Sequence, residues 1–331
     1  MHKAFIAGCA GVALSVEERA FFADARPWGL ILFRRNVESP AQVAALTASF
    51  RDIVGADAAV LVDQEGGRVQ RLKDPHWPIY PAAARFEAEP DGEALAALGA
   101  RLIAEDLIAL GIDVDCLPVL DTPVDGAHDV IGDRAYARTP EQVARLGAAA
   151  ARGLMRGGVM PVMKHIPGHG RAFADSHMEL PVVSASRAEL ARDFAPFQAN
   201  AGLPAAMTAH VVYEALDPAA PATQSRTVIQ DIVREEIGFD GLLMSDDLSM
   251  KALTGSFFER TSKCFEAGLD LALHCNGDLA EARQVADAAP DLSGKSLERV
   301  NAARARVALE RTRGLQHFDV VEARRRLAAL A

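Results

Sequence analysis

Short apolar runs recur along this chain with room for one helix between each and the next, and that rhythm constrains the fold more than any single residue does. The runs are Ala4–Gly8, Gly29–Phe33, Ala59–Val62, Ile112–Leu120, Val159–Met163, Ala205–Ala209, Gly241–Ser245 and Leu269–His274. Near-continuous apolar segments of this kind read as strands buried on both faces, the pattern of a parallel sheet whose strands are joined by crossover helices. Helix boundaries fall between them. Ser15 with Glu18 makes a capping box, while Ser39–Pro40 and Thr139–Pro140 each place a cap residue before a proline suited to the first turn. Glycines at 111, 158, 202, 238 and 268 stand where helices should stop before the next strand. About eight strands close a barrel. The expectation is therefore an α/β protein, a single (β/α)8 TIM-type barrel forming one catalytic domain over residues 1–331, with C-terminal helices from about residue 297.

Composition narrows the partners. Half of the 331 residues are hydrophobic, enough for a large core, and the net charge of −10 argues against nucleic acid, which requires a basic face. Arg324-Arg325-Arg326, the one strong basic run, reads as a solvated helix face near the C-terminus. No run approaches the roughly 18 uninterrupted apolar residues of a membrane span, so no membrane partner is expected. Cys9, Cys116, Cys264 and Cys275 are far apart and form no CxxC pair, which signals neither a zinc site nor a disulfide framework and fits a reducing cytoplasm. Ile6-Ala7-Gly8-Cys9 looks like a lipoprotein cleavage box, but the apolar stretch before Cys9 is shorter than a signal sequence needs. It reads better as a first buried strand.

In a barrel of this type the chemistry sits at the C-terminal ends of the strands. The residues there are polar: Asp63 to Arg68 after the third run, Asp121 after the fourth, Lys164 and His165 after the fifth, His210 after the sixth, Asp246 and Asp247 after the seventh and Asn276 after the eighth. Strand alternation puts Leu242, Met244 and Asp246 on one side, so one carboxylate of the aspartate pair enters the mouth while the other points away. Capping of the following helix is an equal alternative for both. The segment Lys164–His177, KHIPGHGRAFADSH, gathers three histidines, a lysine and an aspartate. Asp175 stands two residues before His177, a spacing that lets the carboxylate bond one ring nitrogen and leave the other for proton transfer. Gly168 and Gly170 suit a loop that closes over a ligand.

Together with VDQEGGRVQRL at Val62–Leu72, MTAHVVY at Met207–Tyr213 and MSDDLSM at Met244–Met250, this segment resembles the bacterial β-N-acetylhexosaminidases of glycoside hydrolase family 3, the single-barrel enzymes of cell-wall recycling. The resemblance implies a retaining exo-β-N-acetylglucosaminidase in the cytoplasm. It makes Asp246 the nucleophile, Asp175 and His177 the acid/base dyad, and Asp63, Arg71, Arg134, Lys164 and His165 the residues that hold the sugar. The implied partner is a small-molecule substrate, an N-acetylglucosamine-containing muropeptide, cleaved by a monomer without cofactor or metal. Ile166 departs from the phenylalanine common in the family, and Arg171–Ala174 is a variable stretch of the motif. His169 is left between loop support and ligand contact. The rival readings are a β-glucosidase-like enzyme, a metal-dependent hydrolase using Lys164, His165, His210 and Asp246, and a non-catalytic sugar-binding barrel.

Overall fold

Eight parallel strands form a closed barrel: β1 (Lys3–Gly8), β2 (Pro27–Leu32), β3 (Ala59–Val62), β4 (Val114–Asp115), β5 (Met160–Ile166), β6 (Ala205–Thr208), β7 (Leu242–Asp247) and β8 (Leu271–His274). Each pairs with its neighbour in sequence, and β8 returns to β1 with Phe5 opposite Ala272, so the sheet has no free edge. This is the (β/α)8 barrel expected from the apolar rhythm. The computed structural model describes residues 1–173, 180–314, 318–328 and 330. Ile6, Ala7 and Gly8 are buried in β1. Among the described residues, no helix is long and apolar enough to cross a membrane.

The strand ends differ from expectation in ways that matter for the mouth. Of Ile112–Leu120 only Val114 and Asp115 pair as a strand. Pro118 has no N–H to give to a ladder, and the chain runs on irregularly to Asp121. β5 and β7 are longer than their apolar runs, so Lys164, His165, Asp246 and Asp247 lie within strands. In both strands the register shifts near the end, between Lys164 and Ile166 against β6 and between Met244 and Asp247 against β8. Such irregularities re-aim side chains that strict alternation would send to opposite faces. Lys164 with His165, and Asp246 with Asp247, accordingly all line the mouth.

Ser15, Ser39 and Thr139 cap their helices as expected, Ser15 in a reciprocal capping box with Glu18. Gly158 and Gly268 end helices in the left-handed conformation, with φ of 90° and 106°. Gly202 does not. The helix Arg187–Ala199 stops at Asn200, whose side-chain amide donates to the carbonyls of Pro196 and Ala144. The arginine run is also more than a solvated face. Arg324 and Arg326 reach Asp106 at 2.7 Å and Asp91 at 3.1 Å, joining the helix Val320–Ala328 to the outer ring.

The helices Gly92–Ile108 and Pro140–Gly157 pack through small residues. Gly153 faces the Ala97 carbonyl and Ala100, and Gly157 faces Ala104. A methyl group at 153 would fall on the carbonyl, and overpacking of this kind costs about 1–3 kcal/mol. Gly153→Ala is expected to lower the thermal midpoint while leaving the circular dichroism spectrum of the folded protein unchanged, as a melting curve would show.

Candidate active site

The sequence Asp63–Leu72 is a tight hairpin that folds back over the end of β3, pairing Gln64–Gly66 with Val69–Gln70. Gln64 organises it: its side-chain oxygen accepts from the amides of Arg71 and Leu72, and its nitrogen donates to the Leu72 carbonyl. The turn needs glycine at 66, where φ is 95° and a side chain would run into the Pro81 carbonyl. Arg71 is thereby returned to Asp63, 2.9 Å from Nη2 to Oδ2, with its guanidinium over the Phe33 ring. Arg68 on the outside of the turn binds Asp133 at 3.0 Å and the carbonyls of Val130 and Ile131. It holds the segment that delivers Arg134.

Lys164 enters this assembly from β5. Its ammonium, 2% exposed, lies 2.8 Å from Asp63 Oδ1 and 2.6 Å from Glu65 Oε1. Arg134 grips Glu65 with Nε at 2.8 Å and Nη2 at 2.9 Å. Burial alone would raise the carboxyls of Asp63 and Glu65. Lys164 with Arg71, and Lys164 with Arg134, outweigh it and hold both below the usual carboxylate range. Burial likewise pulls Lys164 down, but the two carboxylates win and raise it. All five groups are therefore charged, and three cations facing two carboxylates leave one positive charge.

Asp246 faces this lattice across a cavity of about 500 Å³ that also touches Phe33, His165, His169, Met207, Met250 and Cys275. Its carboxylate accepts the Asp247 amide at 2.8 Å and makes no ion pair among the described residues. Burial would raise it, yet the imidazoles of His165 and His210 and that amide keep it below the ordinary value. Asp247 is used differently. Its oxygens accept from the Ser249 amide and hydroxyl and from the Cys275 amide, tying β7 to the end of β8.

His165 bonds Asp121 through Nδ1 at 2.6 Å, and the His169 amide donates to the same carboxylate. His169 is 3% exposed with its ring against His165, and its Nδ1 has no partner among the described residues. Burial, reinforced by His165, pushes this imidazole down to about 4, so it is neutral in ordinary buffers. Gly168 has φ of 138° and its carbonyl accepts from Tyr213, whereas Gly170 is required because it abuts the Thr122 backbone.

Not every strand-end residue converges on the mouth. His210 is fully buried with Nδ1 on the Thr223 hydroxyl and Nε2 on the Asp247 carbonyl, so it supports the framework and is not free to bind a metal. Asn276 pairs with Glu281 outside the cavity. Asp63, Arg71, Arg134, Lys164, His165 and Asp246 do line one cavity. Asp175 and His177 lie outside the described residues. Sequence reasoning gave no role to Glu65 or Asp121. Neither carried a signal beyond its place: Glu65 stands inside the hairpin motif, with partners Arg134 and Lys164 far off in sequence, and Asp121 ends a buried run.

Residues 8–309 match the family described as the glycosyl hydrolase family 3 N terminal domain, and the chain belongs to that family. It is 43% identical over 272 residues to the β-hexosaminidase of Methylococcus capsulatus and 42% identical over 270 residues to that of Pseudomonas aeruginosa, covering 80% of both chains in each pair. Among solved structures it superposes on NagZ from Neisseria gonorrhoeae in complex with N-trifluoroacetyl-D-glucosamine with a TM-score of 0.88, at 35% identity over 100% of this chain and 98% of the other. It is a glycosidase, and within the family it stands with the bacterial β-N-acetylhexosaminidases.

Two outcomes follow from the charges. Replacing Lys164 by methionine leaves Asp63 and Glu65 facing each other in a buried site, and is expected to cost roughly 3–5 kcal/mol in urea unfolding at neutral pH. For His169 the folded value lies below the unfolded one of about 6.5, so its contribution is complete above that pH and is lost as pH falls toward about 4. His169→Gln should therefore remove up to roughly 3 kcal/mol of acid sensitivity in that window. Paired urea titrations at neutral and mildly acid pH would show it.

Proposed function

We propose that this chain is a retaining exo-β-N-acetylglucosaminidase that releases terminal N-acetylglucosamine from peptidoglycan-derived muropeptides in the cytoplasm, with residues 1–331 acting as one catalytic unit and without a cofactor. The observation that carries the reading is Asp246: an ionised carboxylate with no ion pair among the described residues, at the end of β7 and facing a sugar-sized cavity whose opposite wall is a fixed array of charged donors and acceptors. Asp63, Arg71, Arg134, Lys164 and His165 hold the N-acetylglucosamine unit, since hydroxyl groups pair well with such an array and orient without moving it.

In the first step Asp246 attacks the anomeric carbon through an oxocarbenium-like transition state while His177, oriented by Asp175, gives its proton to the departing oxygen. The glycosidic bond breaks and an ester to Asp246 forms. In the second step the neutral His177 takes a proton from water, whose oxygen attacks the same carbon and frees the Asp246 carboxylate. Two inversions return the β-anomer. The Asp246 carboxylate facing the lattice offsets its one excess positive charge, which suits a neutral sugar better than a phosphate or nucleotide.

An aryl N-acetyl-β-glucosaminide should be hydrolysed in the presence of chelator, with the β-anomer appearing first by proton NMR. Asp246→Ala should lose at least about 10³-fold in kcat, and His177→Ala about 10²- to 10⁴-fold on substrates whose leaving group needs a proton. Hydrolysis of the matching glucoside instead would favour the β-glucosidase-like reading, and no hydrolysis of either would favour a sugar-binding barrel.

A further inference from the structure

Asp121 is fully buried beneath the mouth and does not line the cavity. It nevertheless accepts hydrogen bonds from both of the histidines above it. Oδ2 lies 2.6 Å from His165 Nδ1; Oδ1 accepts the His169 amide at 2.6 Å; the His165 amide is shared between the two oxygens at 3.2 and 3.3 Å. The carboxyl is held below its usual range because His165 and these donors outweigh the effect of burial. An ionised carboxylate only accepts hydrogen bonds, so the ring nitrogen facing it must carry a proton. In a neutral imidazole the other nitrogen is then bare and acts as an acceptor. His165 Nε2 has no partner among the described residues, and His165 lines the cavity. His210, whose two nitrogens are both used by the framework, shows the contrast.

We infer that Asp121 is a positioning residue for the sugar site: by keeping His165 protonated at Nδ1 it presents Nε2 to the cavity as a hydrogen-bond acceptor for a hydroxyl group of N-acetylglucosamine. The hydroxyl contact rests on the proposed glycosidase reading; the proton assignment does not. The rest of the array is rich in donors, from Lys164, Arg71 and Arg134, and a sugar hydroxyl that accepts from one of them still has its own proton to place. A bare Nε2 takes that proton. A protonated Nε2 would leave it unpaired inside a closed site, the kind of mismatch that binding sites discriminate against strongly.

Asp121→Asn separates the proton from the scaffold. The asparagine carbonyl can keep both backbone amides, while its NH2 group meets Nδ1 as a donor and turns the ring to the Nε2–H form, as an aspartate-to-asparagine change does in catalytic triads. The experiment combines 15N-histidine NMR of the ligand-free protein at alkaline pH with calorimetric titration of N-acetylglucosamine into the wild type, Asp121→Asn, His165→Ala and the double variant. The expected results are an Nδ1–H tautomer in the wild type, an Nε2–H tautomer in Asp121→Asn, and binding weakened about tenfold. In the His165→Ala background, Asp121→Asn should add less than about a twofold change. A wild-type Nε2–H tautomer overturns the inference even if the variant does not fold. So does an equal loss of affinity with and without the imidazole, which would make Asp121 a scaffold residue only. A wild type that shows the Nδ1–H tautomer but neither binds N-acetylglucosamine nor cleaves its aryl glycoside would instead overturn the function reading, and the hydroxyl contact with it.

Discussion

A lysine ammonium removed from water must find negative charge close by, and the architecture of the mouth follows from satisfying Lys164. At 2% exposure it has little solvent to fall back on, so Asp63 and Glu65 must both approach within hydrogen-bond distance. Those two carboxylates would be costly to bring together without it, and they are secured from the other side by Arg71 and Arg134. Three segments distant in sequence are thereby locked in one arrangement: the end of β3 with its hairpin, the 130–134 segment and β5. A site held by mutual charge compensation keeps its geometry before substrate arrives, which is what an oriented, water-excluding sugar pocket requires.

The same interaction explains where sequence reading succeeded and where it stopped. The centres of the strands were legible because a buried parallel strand is apolar on both faces, and Ala59–Val62 was placed to the residue. The ends were not, because polar residues after an apolar run read as a loop. Lys164 and Asp246 remain in strands since their polar groups are paired or hydrogen-bonded inside the protein, a compensation supplied by residues far away in sequence. Ile112–Leu120 failed in the opposite sense: it is apolar enough for a strand, but Pro118 interrupts the ladder. Six of the proposed site residues could be brought together from motif positions alone. Glu65 and Asp121 could not be assigned, because their importance lies in what they touch and neither spacing nor periodicity reports a contact. His210 misled for the same reason, standing at a strand end with both nitrogens already committed to Thr223 and the Asp247 carbonyl.

Asp246 and Asp247 are chemically identical neighbours with different employment. One carries into the cavity a carboxylate with no ion pair among the described residues; the other spends its oxygens on the Ser249 and Cys275 amides and the Ser249 hydroxyl. What separates them is the register shift of β7 against β8, a matter of one residue of backbone. The site is therefore more vulnerable to a change of length than its chemistry suggests. Losing a single residue from the apolar stretch Leu242–Ser245 would draw Asp247 toward the position Asp246 now holds and leave the tie to β8 unmade, with every functional side chain still present in the sequence. For this barrel the spacing along β7 is part of the active site as much as the aspartates it carries.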